Sequence, residues 1–263
     1  MTSSLSDHVA LVTASSRGIG LGVARSLYEA GARVSISARD EQSISEAAES
    51  LGGESDRLLA STADVGDPVA LRDLVDETVD RLGGPIDILV NNSGGPPTGE
   101  TTELTEEQWS AAIDNNLMSV IRLSTLVAPG MKERRWGRIV NLTSTTAKEP
   151  DPGMALSSVT RAGVAAYSKT LARELGPFGV TVNTVLTGGV LTERMESLIR
   201  AEIEGTGQSL EDAIARATES FPVRYIPRPE EFGEIIRFLV SNEAAFLNGV
   251  ALPLDGGITR SSL

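Results

Sequence analysis

Cysteine is absent from the chain, and histidine occurs once, as His8. The first absence excludes disulfides, thiolate metal sites and a cysteine nucleophile. The second sets aside a Ser–His triad, because His8 stands just before the first apolar run, where a surface role suits it. No apolar stretch is long enough to span a bilayer. The opening MTSSLSDHV has neither the basic segment nor the apolar core of a secretory signal, so a cytoplasmic protein is expected. Positive charge is scarce too. Against 36 Asp and Glu stand 23 Lys and Arg, a formal net charge of −13. Binding of nucleic acid needs clustered cations, and an anionic membrane surface repels such a chain, so neither partner is expected. An anionic small molecule must therefore rely on a local site.

What the chain does have is ordinary globular material: 263 residues, 40% hydrophobic and 22% charged, enough to bury a substantial core as one domain, 1–263. Short β-branched runs mark strands at Val9–Thr13, Arg33–Ala38, Arg57–Thr62, Ile86–Asn91, Arg138–Leu142, Val180–Val185 and Val250–Asp255. Helical patterns lie between them, near Gly20–Ala30, Glu41–Ser50, Val69–Leu82, Glu106–Arg134, Leu156–Leu175 and Glu230–Ser241. The alternation predicts βαβ units: a seven-stranded parallel sheet with helices on both faces, doubly wound. The polar segment 192–220, interrupted by Gly205 and Gly207, follows the sixth strand directly. It reads equally as a mobile substrate lid at the carboxyl ends of the strands or as a solvated helical pair.

The first strand runs straight into Thr13-Ala14-Ser15-Ser16-Arg17-Gly18-Ile19-Gly20, after which a helix begins. A glycine-rich turn between first strand and first helix lets the backbone approach a pyrophosphate, while the helix N-terminus presents free N–H groups to it. This predicts a Rossmann-type dinucleotide site. Other marks follow in order. Asp64-Val65 follows the third strand, and Asn91-Asn92-Ser93-Gly94 ends the fourth. Next come Asn116-Leu117, then Gly137–Ser144, then Val182-Asn183 through Thr187-Gly188 with Thr192, and finally Asp255-Gly256-Gly257.

Taken together, these residues resemble the short-chain dehydrogenase/reductase family over nearly the whole chain. The family's TGxxxGIG loop is altered, since Ala14 replaces its first glycine, and alanine tolerates a positive φ poorly. The resemblance implies cofactor contacts from Thr13, Ser15, Ser16, Arg17, Gly18, Ile19, Gly20, Arg39, Asp64, Val65, Asn92, Ser93, Gly94, Arg161, Thr187, Gly188 and Thr192. It implies Asn116 and Ser144 at catalytic positions, and a homo-oligomer, dimer or tetramer, paired through the long central helices and the last strand. Leu171, Leu175 and Phe178 fit either that interface or a core.

Two features decide what such a site would do. The second strand ends Ser37-Ala38-Arg39-Asp40. Ala38 occupies the position where the family's NAD enzymes usually carry Asp, while Arg39 and Arg17 offer two guanidinium groups for a 2′-phosphate. NADP(H) is the preferred cofactor. NAD(H) remains open if Asp40 leans back to the ribose rather than capping the next helix.

The second feature is a departure. The family pairs Tyr and Lys in YxxxK; here Ser157 and Arg161 occupy those positions. Tyr167 is followed by Lys169 at the wrong spacing. A serine hydroxyl is far less acidic than a phenol, whose pKa is about 10, and arginine stays protonated. The chain thus resembles an atypical branch of the family, similar to the 3-oxoacyl-acyl-carrier-protein reductases but lacking the full tetrad. A proton donor from the lid, from Lys148 or from Tyr225, an anionic substrate clamped by Arg161, and a site that binds without turnover all remain open. The resemblance implies an oxidoreductase acting on a carbonyl/alcohol pair, with Asn116, Ser144, Ser157 and Arg161 lining the site. The alternative is a dinucleotide-binding module acting as sensor or structural subunit. No metal ligands are expected.

Overall fold

The short apolar runs become seven strands in the computed structural model, which describes residues 4–262; of the 1–263 span read as one domain, residues 1–3 and 263 lie outside the described residues. The strands are β1 (Val9–Val12), β2 (Arg33–Ala38), β3 (Leu58–Thr62), β4 (Ile88–Asn91), β5 (Gly137–Ser144), β6 (Val180–Thr187) and β7 (Ala251–Leu254). All pair in parallel, in the order β3-β2-β1-β4-β5-β6-β7. The order reverses between β1 and β4, so the connections leaving these two strands diverge and open a crevice at their carboxyl ends.

Both faces of the sheet are covered, which is why the strands read as continuous apolar runs rather than as alternation. Side chains nonetheless alternate along each strand. Ala10 and Val12 of β1 join one core with α1 (Gly18–Glu29), α2 (Glu41–Ser50) and α9 (Pro229–Val240); Val9 and Leu11 join the other with α3 (Pro68–Arg81), α5 (Ser119–Arg134) and α6 (Ala155–Leu175). Leu175 is buried in that second core, and Leu171 and Phe178, partly buried, pack against it. Helices α1 and α9 touch through glycine. A Cβ at Gly22 would sit 2.3 Å from the Pro229 carbonyl oxygen, and one at Gly233 2.5 Å from the Gly22 oxygen.

Most boundaries shift by one or two residues; the larger departures are in β5, β6 and the helix after β4, and the 192–220 segment takes the helical-pair form. Strands β5 and β6 run on to Ser144 and Thr187, paired with each other to the end. The stretch expected as one helix over Glu106–Arg134 is α4 (Glu106–Ile113), one π-helical turn (Asp114–Met118) and then α5. The segment 192–220 folds as two helices, α7 (Glu193–Ile203) and α8 (Leu210–Thr218), capped by Thr192 and Ser209.

The turn from β1 to α1 is held from β4. Thr13 Oγ1 donates to the Asn92 carbonyl at 2.7 Å and accepts from the Asn92 N–H at 2.9 Å, while Asn92 Nδ2 donates to the Ala14 carbonyl at 2.9 Å. Ala14 sits at φ 47°, the left-handed region that its Cβ disfavours. At the opposite end of the sheet, His8 stacks on Trp136 with centroids 4.0 Å apart and lies 3.7 Å from Asp87. Asp87 accepts from the Val9 N–H at 3.0 Å and from Arg134 Nε at 3.1 Å. Burial pushes the Asp87 carboxyl up, but the His8 ring, the Val9 N–H and the Arg134 charge outweigh it and hold the carboxyl below its usual range.

Two outcomes follow. Because the folded-state pKa of Asp87 is depressed, its contribution to stability is full above about pH 4, the unfolded carboxylate value, and is lost as pH falls through the folded one. Asp87→Asn should cost about 1–2 kcal/mol at neutral pH, with the gap in Tm to the parent narrowing below about pH 4; a gap independent of pH would contradict this. Ala14→Gly relieves about 1–2 kcal/mol of left-handed strain against about 0.5–1 kcal/mol of added chain entropy. Tm should rise by about 2 °C, and calorimetry showing a fall would refute the strain.

Candidate functional site

A cavity of about 1140 Å³ occupies the crevice where the strand order reverses. Helix α1 enters it bare: no side chain caps its N-terminus and no acid sits in its first turn, so its first N–H groups are free to bind an anion. Gly20 permits this approach, because a Cβ there would lie 2.5 Å from the Ala14 oxygen and 2.7 Å from Asn92 Nδ2. The wall includes Ser16, Arg17, Gly18, Ile19, Arg39, Asp64, Val65, Asn92, Ser93, Gly94, Asn116 and Thr192 from the sequence expectation, together with Ala14 and Asp40.

Four expected residues lie behind that wall. Thr13 is spent on Asn92, and Ser15 Oγ donates to the Val12 carbonyl at 2.7 Å and accepts from the Ser37 N–H at 3.0 Å. Gly20 and Gly188 serve close backbone approach; a Cβ at Gly188 would meet Asp255 Cα at 2.6 Å. Sequence spacing alone does not separate loop residues that face a ligand from loop residues that fix the loop.

Asp40 Oδ1 accepts from the Ser43 N–H at 2.8 Å as the N-cap of α2. Arg17 and Arg39 are exposed on the wall, and neither forms an ion pair among the described residues. Their chemistry, two free guanidinium groups beside a helix N-terminus, fits a phosphorylated nucleotide. The free N–H groups and the glycine-limited approach at Gly20 fit its pyrophosphate.

A second cavity, about 260 Å³, adjoins the first and shares Ile19, Asn92, Ser93, Gly95, Pro96 and Arg194 with it. The ends of β5 and β6 and one face of α6 bring Ser144, Thr187, Ser157 and Arg161 onto its wall. Ser144 Oγ caps a short 3₁₀ turn (Thr145–Ala147) by accepting from the Thr146 N–H at 3.2 Å. Ser157 is buried, its Oγ 3.0 Å from Thr146 Oγ1. Arg161 is only 6% exposed; Nη1 donates to the Leu142 carbonyl at 2.9 Å, and Nε has no partner among the described residues. Burial pushes its pKa down to about 10, which still leaves a cation at neutral pH.

Asn116 sits apart from this group. The π turn delivers its Nδ2 to Ser93 Oγ and to the Gly94 carbonyl, both at 2.8 Å, so it braces the loop between the two cavities.

None of the chain's three tyrosines lines either cavity. Tyr28 lies under Arg57. Burial raises the pKa of Tyr167, which faces Ser124 and Thr125 of α5. Tyr225 is exposed and donates to Glu231. Lys169 donates to the Gly249 carbonyl, and Lys148 is on neither wall. The residue that sequence reasoning missed is Arg194 of α7, which lines both cavities; its only signal was its place two residues after Thr192.

A family model described as short chain dehydrogenase matches residues 8–203. A putative ketoacyl reductase of Streptomyces coelicolor is 37% identical over 254 residues, covering 96% of this chain and 97% of that protein. The 3-oxoacyl-acyl-carrier-protein reductase FabG of Vibrio cholerae is 34% identical, covering 97% and 98%. Among solved structures, a variant actinorhodin polyketide ketoreductase with NADPH matches with a TM-score of 0.88 at 35% identity, over 98% of this chain and 100% of that one. L-sorbose reductase from Gluconobacter frateurii, complexed with NADPH and L-sorbose, matches with a TM-score of 0.92 at 30% identity, over 99% and 100%. A crevice at the switch point, a bare helix N-terminus behind a glycine turn and likeness along nearly the full length converge: the chain belongs to the short-chain dehydrogenase family.

Proposed function

We propose that the protein is an NADP(H)-dependent oxidoreductase acting on a carbonyl/alcohol pair through a non-standard site, in which Ser157 and Arg161 stand in place of the family's Tyr and Lys. The observation that carries this reading is the adjacency of the two cavities: a nucleotide crevice flanked by Arg17 and Arg39 opens onto a small pocket holding Ser144, Ser157 and Arg161. The NADPH in the ketoreductase and sorbose reductase complexes supports the choice of cofactor, with Asp40 committed to its helix and the two arginines left for a 2′-phosphate. NAD(H) is the weaker ligand on this reading.

When bound, the cofactor supplies or accepts a hydride. The chain does the rest. Ser16, Gly18 and Ile19 would hold the pyrophosphate at the first turn of α1, Asp64 and Val65 would take the adenine, and Thr187, Thr192 and Asn92 to Gly94 would take the nicotinamide end. Ser144 Oγ and the Arg161 guanidinium orient the carbonyl oxygen and stabilise negative charge developing on it. Arg161 keeps its proton, so the proton reaching the substrate oxygen comes from water across the Ser157 and Thr146 hydroxyls. Helices α7 and α8, over 192–220, act as a lid carrying Thr192 and Arg194 over the site. A cytoplasmic homo-oligomer, dimer or tetramer, belongs to the same reading; exposed Val159 on α6 and Phe246 beyond α9 are apolar surface available to it. No helix among the described residues is long and apolar enough to cross a membrane.

One observation favours the second reading, a dinucleotide-binding module that senses or scaffolds without turnover: neither cavity has a phenol on its wall. Nicotinamide fluorescence followed by a screen of ketones, aldehydes and acyl thioesters separates the two. The reductase reading expects NADPH to bind and its absorbance to fall with at least one carbonyl class; binding with no turnover across the panel upholds the module. Arg39→Ala should weaken NADPH about 10-fold or more and leave NADH nearly unchanged, whereas equal losses would sink the 2′-phosphate assignment. The double variant Ser157→Tyr, Arg161→Lys gives the sharper contrast. A dead variant of an active parent marks both residues as adapted parts, and activity only in the variant marks a lost acid.

A further inference from the structure

The small cavity is anomalous in its charge. The chain as a whole carries −13, yet the wall of this pocket holds two arginines, Arg161 and Arg194, several hydroxyls and no Asp or Glu. Neither arginine forms an ion pair among the described residues. Arg161 is the more telling of the two. It is more than nine-tenths buried, one backbone carbonyl takes Nη1, and Nε faces no acceptor. A buried cation with so little compensation is costly unless something supplies the missing charge and acceptors. A ribose hydroxyl would accept one hydrogen bond and leave the charge standing. A carboxylate would satisfy both needs, and its two oxygens match the guanidinium fork.

We infer that the small cavity is a carboxylate subsite, and that the substrate is a small oxo acid whose carboxylate is held by Arg161 from the floor and by Arg194 from the α7 rim. This inference rests on the reductase reading for its carbonyl, but not for its anion. The site of about 260 Å³ suits a short-chain acid. The acids of the crevice, Asp40, Asp64, Glu107 and Glu193, line the larger cavity alone, so they do not compete for the guanidinium groups from within the small one. Arg194 lies on the exposed side of α7, so the anion would be completed by the lid as it settles over the site.

Calorimetric titration with pyruvate and acetoacetate, each against its methyl ester, tests this on the full chain with and without saturating NADP⁺. At least one acid should bind ten-fold or more tighter than its ester. Arg161→Met and Arg194→Gln should each weaken acid binding far more than ester binding, and so remove most of that preference. Arg194→Gln alters only an exposed side chain and keeps the test valid if the buried substitution fails to fold. Acid and ester binding alike, or acid binding indifferent to Arg194→Gln, overturns the subsite. An NADPH absorbance assay on the same compounds separates the two levels. Neutral ketones reduced without any acid preference leave the reductase reading standing and remove this one. Acids bound selectively, with neither acids nor ketones reduced, uphold the subsite and remove the reductase reading.

Discussion

The site depends on three hydrogen bonds at the point where the sheet changes direction. Thr13 and Asn92 exchange two of them and Asn92 adds a third to Ala14, tying the β1 turn to the loop after β4. Without that tie the two connections leaving the sheet in opposite senses would be independent, and the crevice between them would have no fixed shape. Everything functional hangs from it. The free N–H groups of α1 are aimed by the turn, Ser93 and Gly94 are placed by the loop, and Asn116 grips that loop from the π turn behind it. Ala14 holds the turn in a backbone conformation that glycine would adopt without strain, so the pull of neighbouring strands decides the geometry there against local preference.

The fold was largely legible because a parallel sheet covered on both faces writes its strands as bare apolar runs. The ends of β5 and β6 were not, since Thr143, Ser144 and Thr187 are hydroxyl residues that look like loop until the partner strand supplies their backbone bonds. The π turn was illegible for a different reason. Asp114 to Met118 contains nothing that breaks a helix, and only packing inserts the extra residue that turns Asn116 inward. Of the motif residues, Arg17, Gly18, Arg39 and Gly94 line the crevice, while Thr13, Ser15, Gly20 and Gly188 lie behind it as joinery. Arg194 carried little signal beyond its place two residues after Thr192, because an exposed arginine in an amphipathic helix reads as solvated surface until α7 is folded over the cleft.

The electrostatics divide the site into two provinces. The crevice mixes acids with Arg17 and Arg39, as suits a ligand that has both phosphates and hydroxyls. The inner pocket sets two arginines and several hydroxyls, with no acid, among apolar residues such as Ile19, Leu142 and Met154. Burial lowers the Arg161 pKa only to about 10, so the pocket keeps its positive charge at neutral pH; on the proposed reading it acts by orientation and field rather than by proton transfer. On the proposed reading, a hydroxyl and a guanidinium in place of a phenol and an amine shift the work of the site from supplying a proton to holding charge.

Whether that arrangement still moves a hydride is settled most directly by isotope. The protein is mixed with NADPH carrying deuterium at the transferable position and with a panel of neutral carbonyls and oxo acids, and the products are read by mass spectrometry. An alcohol carrying the deuterium is the expected result. Labelled NADPH that binds to the protein but leaves every alcohol fraction unlabelled would contradict it.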